Sequence, residues 1–117
     1  MKQPKDVCVY VHEVLDCIAD IESYVATYTK ASFFLDKKTQ DAVMRKIEII
    51  GEIVKRLPSI LKTNAPHIPW KDIVGMRDIL IHEYASVDLN ETWVVITVDI
   101  PKLKRNVQEL LQKCEED

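Results

Sequence analysis

Apolar residues recur at three- and four-residue steps along the first half of the chain, which is the spacing that gathers them on one face of an α-helix. Between residues 6 and 28 this apolar face consists of Val7, Val11, Val14, Leu15, Ile18, Ile21 and Val25. A second such face, following an N-cap at Thr39 or Asp41, consists of Val43, Ile47, Ile50, Val54 and Leu57. The pattern predicts two long amphipathic helices, and the second ends before Pro58.

The rest of the chain predicts shorter helices. The stretch 29–38 is expected to be a short helix or turn whose aromatic residues plug one end of a bundle. The stretch 64–70 contains two prolines and is the clearest loop. It leads to a helix from about Trp70 to Ala85. The segment 91–98 is rich in strand-favouring residues, but a lone strand would lack a partner, so it is also predicted to be helical.

The C-terminal part predicts one more helix after a kink or a fresh start at Pro101. This helix reaches about Lys113 and packs Leu103, Val107, Leu110 and Leu111. Together the segments predict an all-α fold, an antiparallel bundle of four to five helices. The chain has 117 residues, of which 47% are hydrophobic and 30% charged, and this fits a single domain over residues 1–117.

Charge and glycine content exclude some functions. The formal net charge of −3 argues against sequence-independent coating of nucleic acid. Only two glycines, Gly51 and Gly75, are present, so a glycine-rich phosphate cradle is not expected. Local basic clefts stay possible, although each basic cluster is more often a solvated helix face. The clusters are 37–38, 45–46, 55–56, Lys71 with Arg77, and 102–105.

The cysteines and histidines indicate no cofactor. Cys8, Cys17 and Cys114 are odd in number, lack C-x-x-C spacing and follow no secretory leader, so reduced thiols in a cytoplasmic protein are expected. No apolar run reaches the length of a membrane span. His12 and His67 lack the paired spacing of a zinc site and are interpreted as surface residues. No metal is therefore expected.

The segment 77–84 carries the candidate chemistry: Arg77, Asp78, His82 and Tyr84. An arginine binds phosphate, a histidine exchanges protons near neutral pH, and a tyrosine adds a hydroxyl. These are the parts of a metal-free phosphodiesterase. On an ideal helix Arg77 and Tyr84 lie about 20° apart, and Asp78 lies one turn before His82, where its carboxylate could orient the imidazole.

The same geometry separates Arg77 from His82 by about 140° around the helix. The two side chains meet on one phosphate only by long reach, by helix distortion or through a second subunit, and we favour the second subunit. A two-fold axis near the segment would make the dimer the catalytic unit. The simpler interpretation is that Arg77 and His82 are surface or interface groups and that Tyr84 is an interface aromatic.

The residues Arg77, Asp78, His82 and Tyr84 resemble the Arg-X4-His-X-Tyr signature of HEPN domains, specifically the HepT-like group of toxin components. Two further blocks are similar to the same group. One leads from 39–43 through Arg45 to 49–52, and the other leads from 68–70 through Ile73 and Gly75 into the motif. The resemblance covers most of the chain. Glu83 departs from the small residue often found at its position.

The resemblance implies a helical bundle that dimerises with its motif helices facing each other. Whether these homodimers associate into a higher oligomer stays open. It implies a metal-independent endoribonuclease acting on RNA, the toxin of a type VII-like toxin–antitoxin pair. The partner would be a minimal nucleotidyltransferase antitoxin, which uses ATP to add AMP to the motif tyrosine. That tyrosine matches Tyr84.

The expected mechanism uses the 2′-hydroxyl of RNA as the nucleophile, with His82 as general base or acid. Arg77 would bind the scissile phosphate, and Asp78 would orient His82. Two alternatives stay open: a nuclease-inactive HEPN module that binds RNA, nucleotide or a partner, and a purely structural helical homodimer.

Overall fold

Long helices form the frame of the computed structural model, which describes residues 5–80 and 88–116. They are α1 (Lys5–Val25), α3 (Lys37–Arg56) and α8 (Ile100–Glu116). Shorter helices lie between them: α2 (Lys30–Phe34), α4 (Ser59–Thr63), α5 (Trp70–Val74), α6 (Met76–Leu80), α7 (Leu89–Val94) and a π-helix (Val95–Asp99). All regular elements within the two described ranges are helical, so the prediction of an all-α fold is confirmed.

The core forms where α1 packs against both α3 and α8. The predicted apolar faces supply most of it: Val7, Val11, Val14, Ile18 and Ile21 from α1, and Val43, Ile47, Ile50 and Val54 from α3, are buried. The face of α8 was also predicted, since Leu103, Val107 and Leu110 are buried and Leu111 is partly buried. Burying these side chains is the main source of stability for a domain of this size.

The short helix α2 closes one end of this core. Phe33 is fully buried, and its ring centroid lies 5.3 Å from that of Trp93. This confirms the predicted aromatic plug. The neighbouring Leu35 is 88% exposed and takes no part in it. Gln40 of α3 donates from its amide to the carbonyl oxygens of Phe33 and Phe34, which satisfies the end of α2.

Helices α1 and α8 run antiparallel. Near the start of α8, Lys104 pairs with Glu22 near the end of α1, with 3.1 Å between Nζ and Oε2. At the other end, Cys8 of α1 is joined by a disulfide to Cys114 of α8. The prediction of three reduced thiols is wrong for this pair. The odd cysteine count implied one free thiol but left room for one bond, and only Cys17 is free among the described cysteines. The argument from reduced thiols for a cytoplasmic location therefore no longer holds.

The chain from residue 89 to 116 is nearly continuous helix, interrupted by the π-helical turn. The helical prediction for 91–98 is confirmed, and a π-helical turn lies just before Pro101, where a kink or a fresh start was predicted. In this turn the N–H of Ile100 donates to the carbonyl of Val95, five residues back. Proline lacks an N–H and its ring crowds the carbonyl four residues before it, so a wider turn accommodates Pro101.

The predicted single helix from Trp70 to about Ala85 is wrong in its first half, because Gly75 separates α5 from α6. The N–H of Gly75 still donates to Lys71, but its own carbonyl accepts from Asp78 three residues later, a tighter turn. Residues 81–85 lie outside the described ranges. In front of α5, the indole N–H of Trp70 donates to the carbonyls of Lys62 and Ala65 and anchors the proline loop.

None of the helices in the described ranges is both long and apolar enough to cross a lipid bilayer.

Candidate functional site

Arg77 lies where α6 faces α3. It forms an ion pair with Glu48 on α3, with 3.2 Å between Nε and Oε2. Its Nη1 lies 3.6 Å from Oδ1 of the adjacent Asp78. The Arg77 side chain is 48% exposed, whereas that of Glu48 is 29% exposed. The guanidinium therefore has a carboxylate behind it and solvent in front of it.

The helices come close at this point because α3 carries a glycine there. A Cβ added to Gly51 would lie 3.3 Å from the carbonyl oxygen of Val74, at the end of α5. Gly75 then ends α5, and the chain turns directly into α6. Gly51 thus allows the close approach of α3 to the segment that carries Arg77, and Gly75 marks the turn within that segment.

A cleft of about 370 Å³ opens between α3 and the α5–α6 segment. Its lining consists of Glu48, Gly51, Glu52, Lys55, Val74, Arg77 and Asp78. Three carboxylates thus face two permanent cations, so the described part of the cleft is slightly acidic. We call this cleft the Arg77 cleft.

The structure brings two of the predicted site residues together. Arg77 and Asp78 both line the Arg77 cleft, and Oδ1 of Asp78 lies 3.6 Å from Nη1 of Arg77. The expected orientation of His82 by Asp78 stays a prediction, because His82 and Tyr84 lie outside the described residues. The flanking chain is well anchored, since the N–H of Asp88 donates to the carbonyl of Leu80 over 2.8 Å.

Sequence patterns did not single out Glu48, although it contacts the key arginine. A signal was present: Glu48, Glu52 and Lys55 are spaced four and three residues apart and so share one helical face, with a glycine between the first two. Charged side chains flanking a helical glycine indicate that another backbone approaches there. Lys55 appeared only as half of a basic pair.

The other basic clusters mostly form surface ion pairs. Lys37 pairs with Asp41 over 3.1 Å within α3. Lys46 lies 2.8 Å from Asp20 of α1, and this hydrogen-bonded contact with Asp20 raises the pKa of Lys46. Lys104 pairs with Glu22. For these three clusters the solvated-face interpretation fits the structure, which leaves Arg77 and Lys55 as the cations of the cleft.

A larger cavity of about 660 Å³ lies between the α5–α6 segment and the α7, π-helix and α8 region. Its polar lining includes His67, Asp72, Glu91, Asp99 and Lys102. His67 Nε2 also lies 3.7 Å from Oε2 of Glu109. This cavity is more acidic than the Arg77 cleft and is poorly suited to a phosphate. Within residues 5–80 and 88–116, no group of three or more His, Cys, Asp or Glu side chains is arranged to hold a metal ion.

Comparison with known proteins identifies the family. The family model described as ribonuclease HepT-like matches residues 14–110. A Methanocaldococcus jannaschii protein, whose name joins gamma-glutamylcyclotransferase with a provisional RNase, is 45% identical over 113 residues, covering 97% of this chain but 51% of that protein. The chain thus spans about half the length of this relative.

Other relatives match over nearly their whole length. "Probable ribonuclease HepT" of Thermococcus cleftensis is 41% identical over 86% of this chain and 92% of its own. A provisionally named RNase of Caldanaerobacter subterraneus is 38% identical over 97% of this chain and 98% of its own. No solved structure gives a significant match. The resemblance inferred from the motif blocks is thereby confirmed, and the chain belongs to the ribonuclease HepT-like family.

Proposed function

We propose that this protein is a metal-independent endoribonuclease whose phosphate-binding group is Arg77. The observation that carries the proposal is the half-exposed guanidinium of Arg77 at the mouth of a cleft, in a chain of the ribonuclease HepT-like family. A guanidinium presents five N–H donors in a planar fork that matches phosphate oxygens. Glu48 forms an ion pair at Nε, and the N–H groups of the terminal nitrogens are suited to a phosphodiester.

The proposed reaction needs no nucleophile from the protein. The 2′-oxygen of RNA attacks the adjacent phosphorus while the bond from phosphorus to the 5′-oxygen breaks, which leaves a 2′,3′-cyclic phosphate and a 5′-hydroxyl. One proton leaves the 2′-hydroxyl and another reaches the 5′-oxygen. We assign these transfers to His82, as base or acid, and the stabilisation of charge on the phosphate oxygens to Arg77. Asp78 and Tyr84 support the site.

The separation of Arg77 and His82 by about 140° around an ideal helix favours a two-subunit active site, because the two side chains of one chain do not converge on one phosphate. A homodimer related by a two-fold axis near residues 77–84 would bring a second arginine and a second histidine to the same phosphate. The proposal therefore includes a homodimer, which could associate further, as the catalytic unit.

We further propose that a minimal nucleotidyltransferase antitoxin controls the enzyme as a toxin. The Tyr84 oxygen would attack the α-phosphorus of ATP, pyrophosphate would leave, and AMP would remain on the tyrosine. The added phosphate would compete with RNA for Arg77. Intact-mass measurement of the chain co-produced with such a partner should show one added AMP, and Tyr84→Phe should abolish it. An unchanged mass with an active partner would reject this part of the proposal.

The test of the nuclease uses purified protein and a fluorogenic RNA oligonucleotide. Arg77→Ala should lower kcat/KM by about 10²- to 10³-fold, the range for losing a group that stabilises transition-state charge. Lys37→Ala is the matched control, because Lys37 is a basic residue of α3 paired with Asp41 and distant from the cleft. Expression of the chain alone should arrest growth, and His82→Ala should relieve the arrest. Equal activity or toxicity of wild type, Arg77→Ala and His82→Ala would reject the proposal.

A nuclease-inactive binding module is the second candidate, and the observation that favours it is the excess of carboxylates in the Arg77 cleft, which weakens the attraction of a scissile phosphate to Arg77. This candidate predicts salt-dependent RNA binding without cleavage in the same assay.

A further inference from the structure

The carboxylate of Glu48 is in contact with the guanidinium of Arg77, and nothing in the motif explains this contact. We propose that Glu48 is a positioning residue, which holds Arg77 in the orientation that binds the scissile phosphate. The inference rests on the proposed ribonuclease function and adds to it a residue from α3, outside the segment 77–84.

The choice of donor atom supports positioning rather than blocking. Glu48 forms its ion pair at Nε of Arg77, with 3.2 Å between Nε and Oε2. An ion pair at Nε leaves the N–H groups of the two terminal nitrogens for a ligand. The carboxylate of Glu48 is also less exposed than the arginine, with 29% against 48% of the side chain accessible. Glu48 is therefore the more buried partner of this ion pair.

Asp78 is less suited to this role. Its side chain is 81% exposed, and its Oδ1 lies 3.6 Å from Nη1 of Arg77, beyond hydrogen-bond range. It also follows Arg77 directly in the chain and moves with it. Glu48, in contrast, belongs to another helix and ties α6 to the core. An exposed ion pair of the Asp78 kind contributes little and is screened by salt.

The surroundings of Glu48 are rigid enough to hold an arginine in place. It lies within the 20-residue helix α3, between the buried residues Ile47 and Ile50. Three residues further on, Gly51 contacts the end of α5 and fixes the separation of α3 from the Arg77 segment. The arginine is thus oriented by a group whose own position is set by core packing.

The test compares three variants in the fluorogenic RNA assay. Glu48→Gln keeps an oxygen acceptor of the same length and should stay within about threefold of the wild-type kcat. Glu48→Ala removes the acceptor and should lower kcat by about 10- to 100-fold, the scale expected when a catalytic group is misplaced by about 1 Å. Glu52→Ala is the comparison for charge alone. It removes one carboxylate from the same cleft, one helical turn from Glu48.

These variants separate orientation from simple charge. If Glu48 only repels or competes with the phosphate, Glu48→Ala and Glu52→Ala will both lower KM and neither will lower kcat. That result overturns the proposal, as would equal losses of kcat in the two alanine variants. Thermal unfolding of each variant is measured alongside. If Glu48→Ala unfolds at the assay temperature, its kcat is disregarded, and the kcat values of Glu48→Gln and Glu48→Asp are compared instead. Aspartate is one methylene shorter, so positioning predicts that Asp rescues less activity than Gln.

A second readout is independent of catalysis. In protein labelled with ¹⁵N-arginine, the Nε–H signal of Arg77, assigned from Arg77→Lys, should be shifted by the Glu48 carboxylate, which lies 3.2 Å from Nε. Glu48→Ala should move it to the position of a solvent-exposed arginine, and Glu52→Ala should not. If the wild type cleaves no RNA while this pattern holds, the ribonuclease proposal fails and the positioning of Arg77 stands. An Nε–H signal that is unchanged in Glu48→Ala overturns the positioning, whatever the activity.

Discussion

Gly51 of α3 and Val74 of α5 are in such close contact that a Cβ at residue 51 would lie 3.3 Å from the Val74 carbonyl oxygen. This distance is shorter than most carbon–oxygen contacts of a side chain, and the neighbour is backbone that cannot rotate away. Helix propensity alone favours alanine over glycine by about 1 kcal/mol. Crowding against a packed backbone costs about 1–3 kcal/mol and opposes that gain.

We therefore expect Gly51→Ala to lower the free energy of unfolding by about 1 kcal/mol, the difference between these two effects. Urea denaturation measures it, and Gly51→Ser, with a larger side chain, should be worse. Because the α5–α6 segment carries Arg77, both variants should also lower RNA cleavage. A Gly51→Ala protein more stable than wild type would show that the backbone at Val74 can shift to accommodate the methyl group at no cost in stability.

The disulfide between Cys8 and Cys114 should contribute strongly to stability, because the two cysteines are 106 positions apart in sequence. The chain-entropy argument gives about 4.8 kcal/mol for a loop of that length. Reduction, or the double variant Cys8→Ser/Cys114→Ser, should lower the thermal midpoint of unfolding. In Cys17→Ala, reductant should still lower the midpoint, because Cys17 is not part of the disulfide. Titration of thiols in denaturant without reductant should find one. Three reactive thiols in freshly purified protein would contradict the bond.

Asp36 should make stability depend on pH at the acidic end. Its carboxylate accepts from the hydroxyl of Tyr28 and from the N–H and hydroxyl of Thr39, and the Tyr28 hydrogen bond is the main cause that lowers the pKa of Asp36. The folded state thus favours the charged form. This stabilisation is complete above the unfolded pKa of an aspartate, about 3.9, and is lost as the pH falls through the lower pKa of the folded state.

Urea denaturation between pH 6 and pH 2 checks this dependence. Asp36→Asn should flatten the acidic limb of the stability curve, and Tyr28→Phe should move it to higher pH. Asp41→Asn, at an exposed carboxylate paired with Lys37, serves as the control and should leave the limb close to wild type. Identical limbs in all four proteins would show that Asp36 is not the group that titrates.

Lys55 should contribute to RNA binding through the Arg77 cleft that it lines. We expect Lys55→Gln to weaken binding similarly for all sequences and to reduce the slope of log K against log salt by about 1, as for a lost phosphate contact. Lys37→Gln, with Lys37 already paired to Asp41, should leave the slope unchanged. Fluorescence anisotropy at several salt concentrations measures both. Equal slopes for the two variants would show that Lys55 does not contact an RNA phosphate.

The long helices were predictable because apolar residues at helical spacing form one face of a helix, and that face is the part that becomes buried in the core. The buried faces of α1, α3 and α8 follow the pattern read from the sequence. The break at Gly75 was missed, since a glycine near the middle of an apolar pattern is compatible with either a continuous or an interrupted helix. Periodicity also says nothing about which cysteines meet, so the bond from Cys8 to Cys114 required the antiparallel packing of α1 on α8.

The candidate site was predictable only where it is local in sequence. Arg77 and Asp78 were found because they are adjacent and belong to a motif, and both line one cleft. Glu48 was missed because its relation to Arg77 is tertiary, created by the approach of α3 to α6 at Gly51. A carboxylate on a helix surface has many possible partners, and spacing along one helix cannot choose among them.

The covalent link between α1 and α8 also determines what happens when the backbone is cut. Because Cys8 and Cys114 enclose nearly all of the chain, a single protease cleavage between α2 and α7 leaves the two pieces joined through sulfur. The nicked protein should migrate as one species without reductant and as two with it. The disulfide thus closes the chain into a ring. If the backbone is cut between α3 and Arg77, the piece that carries residues 77 and 78 stays covalently attached to the piece that carries α3.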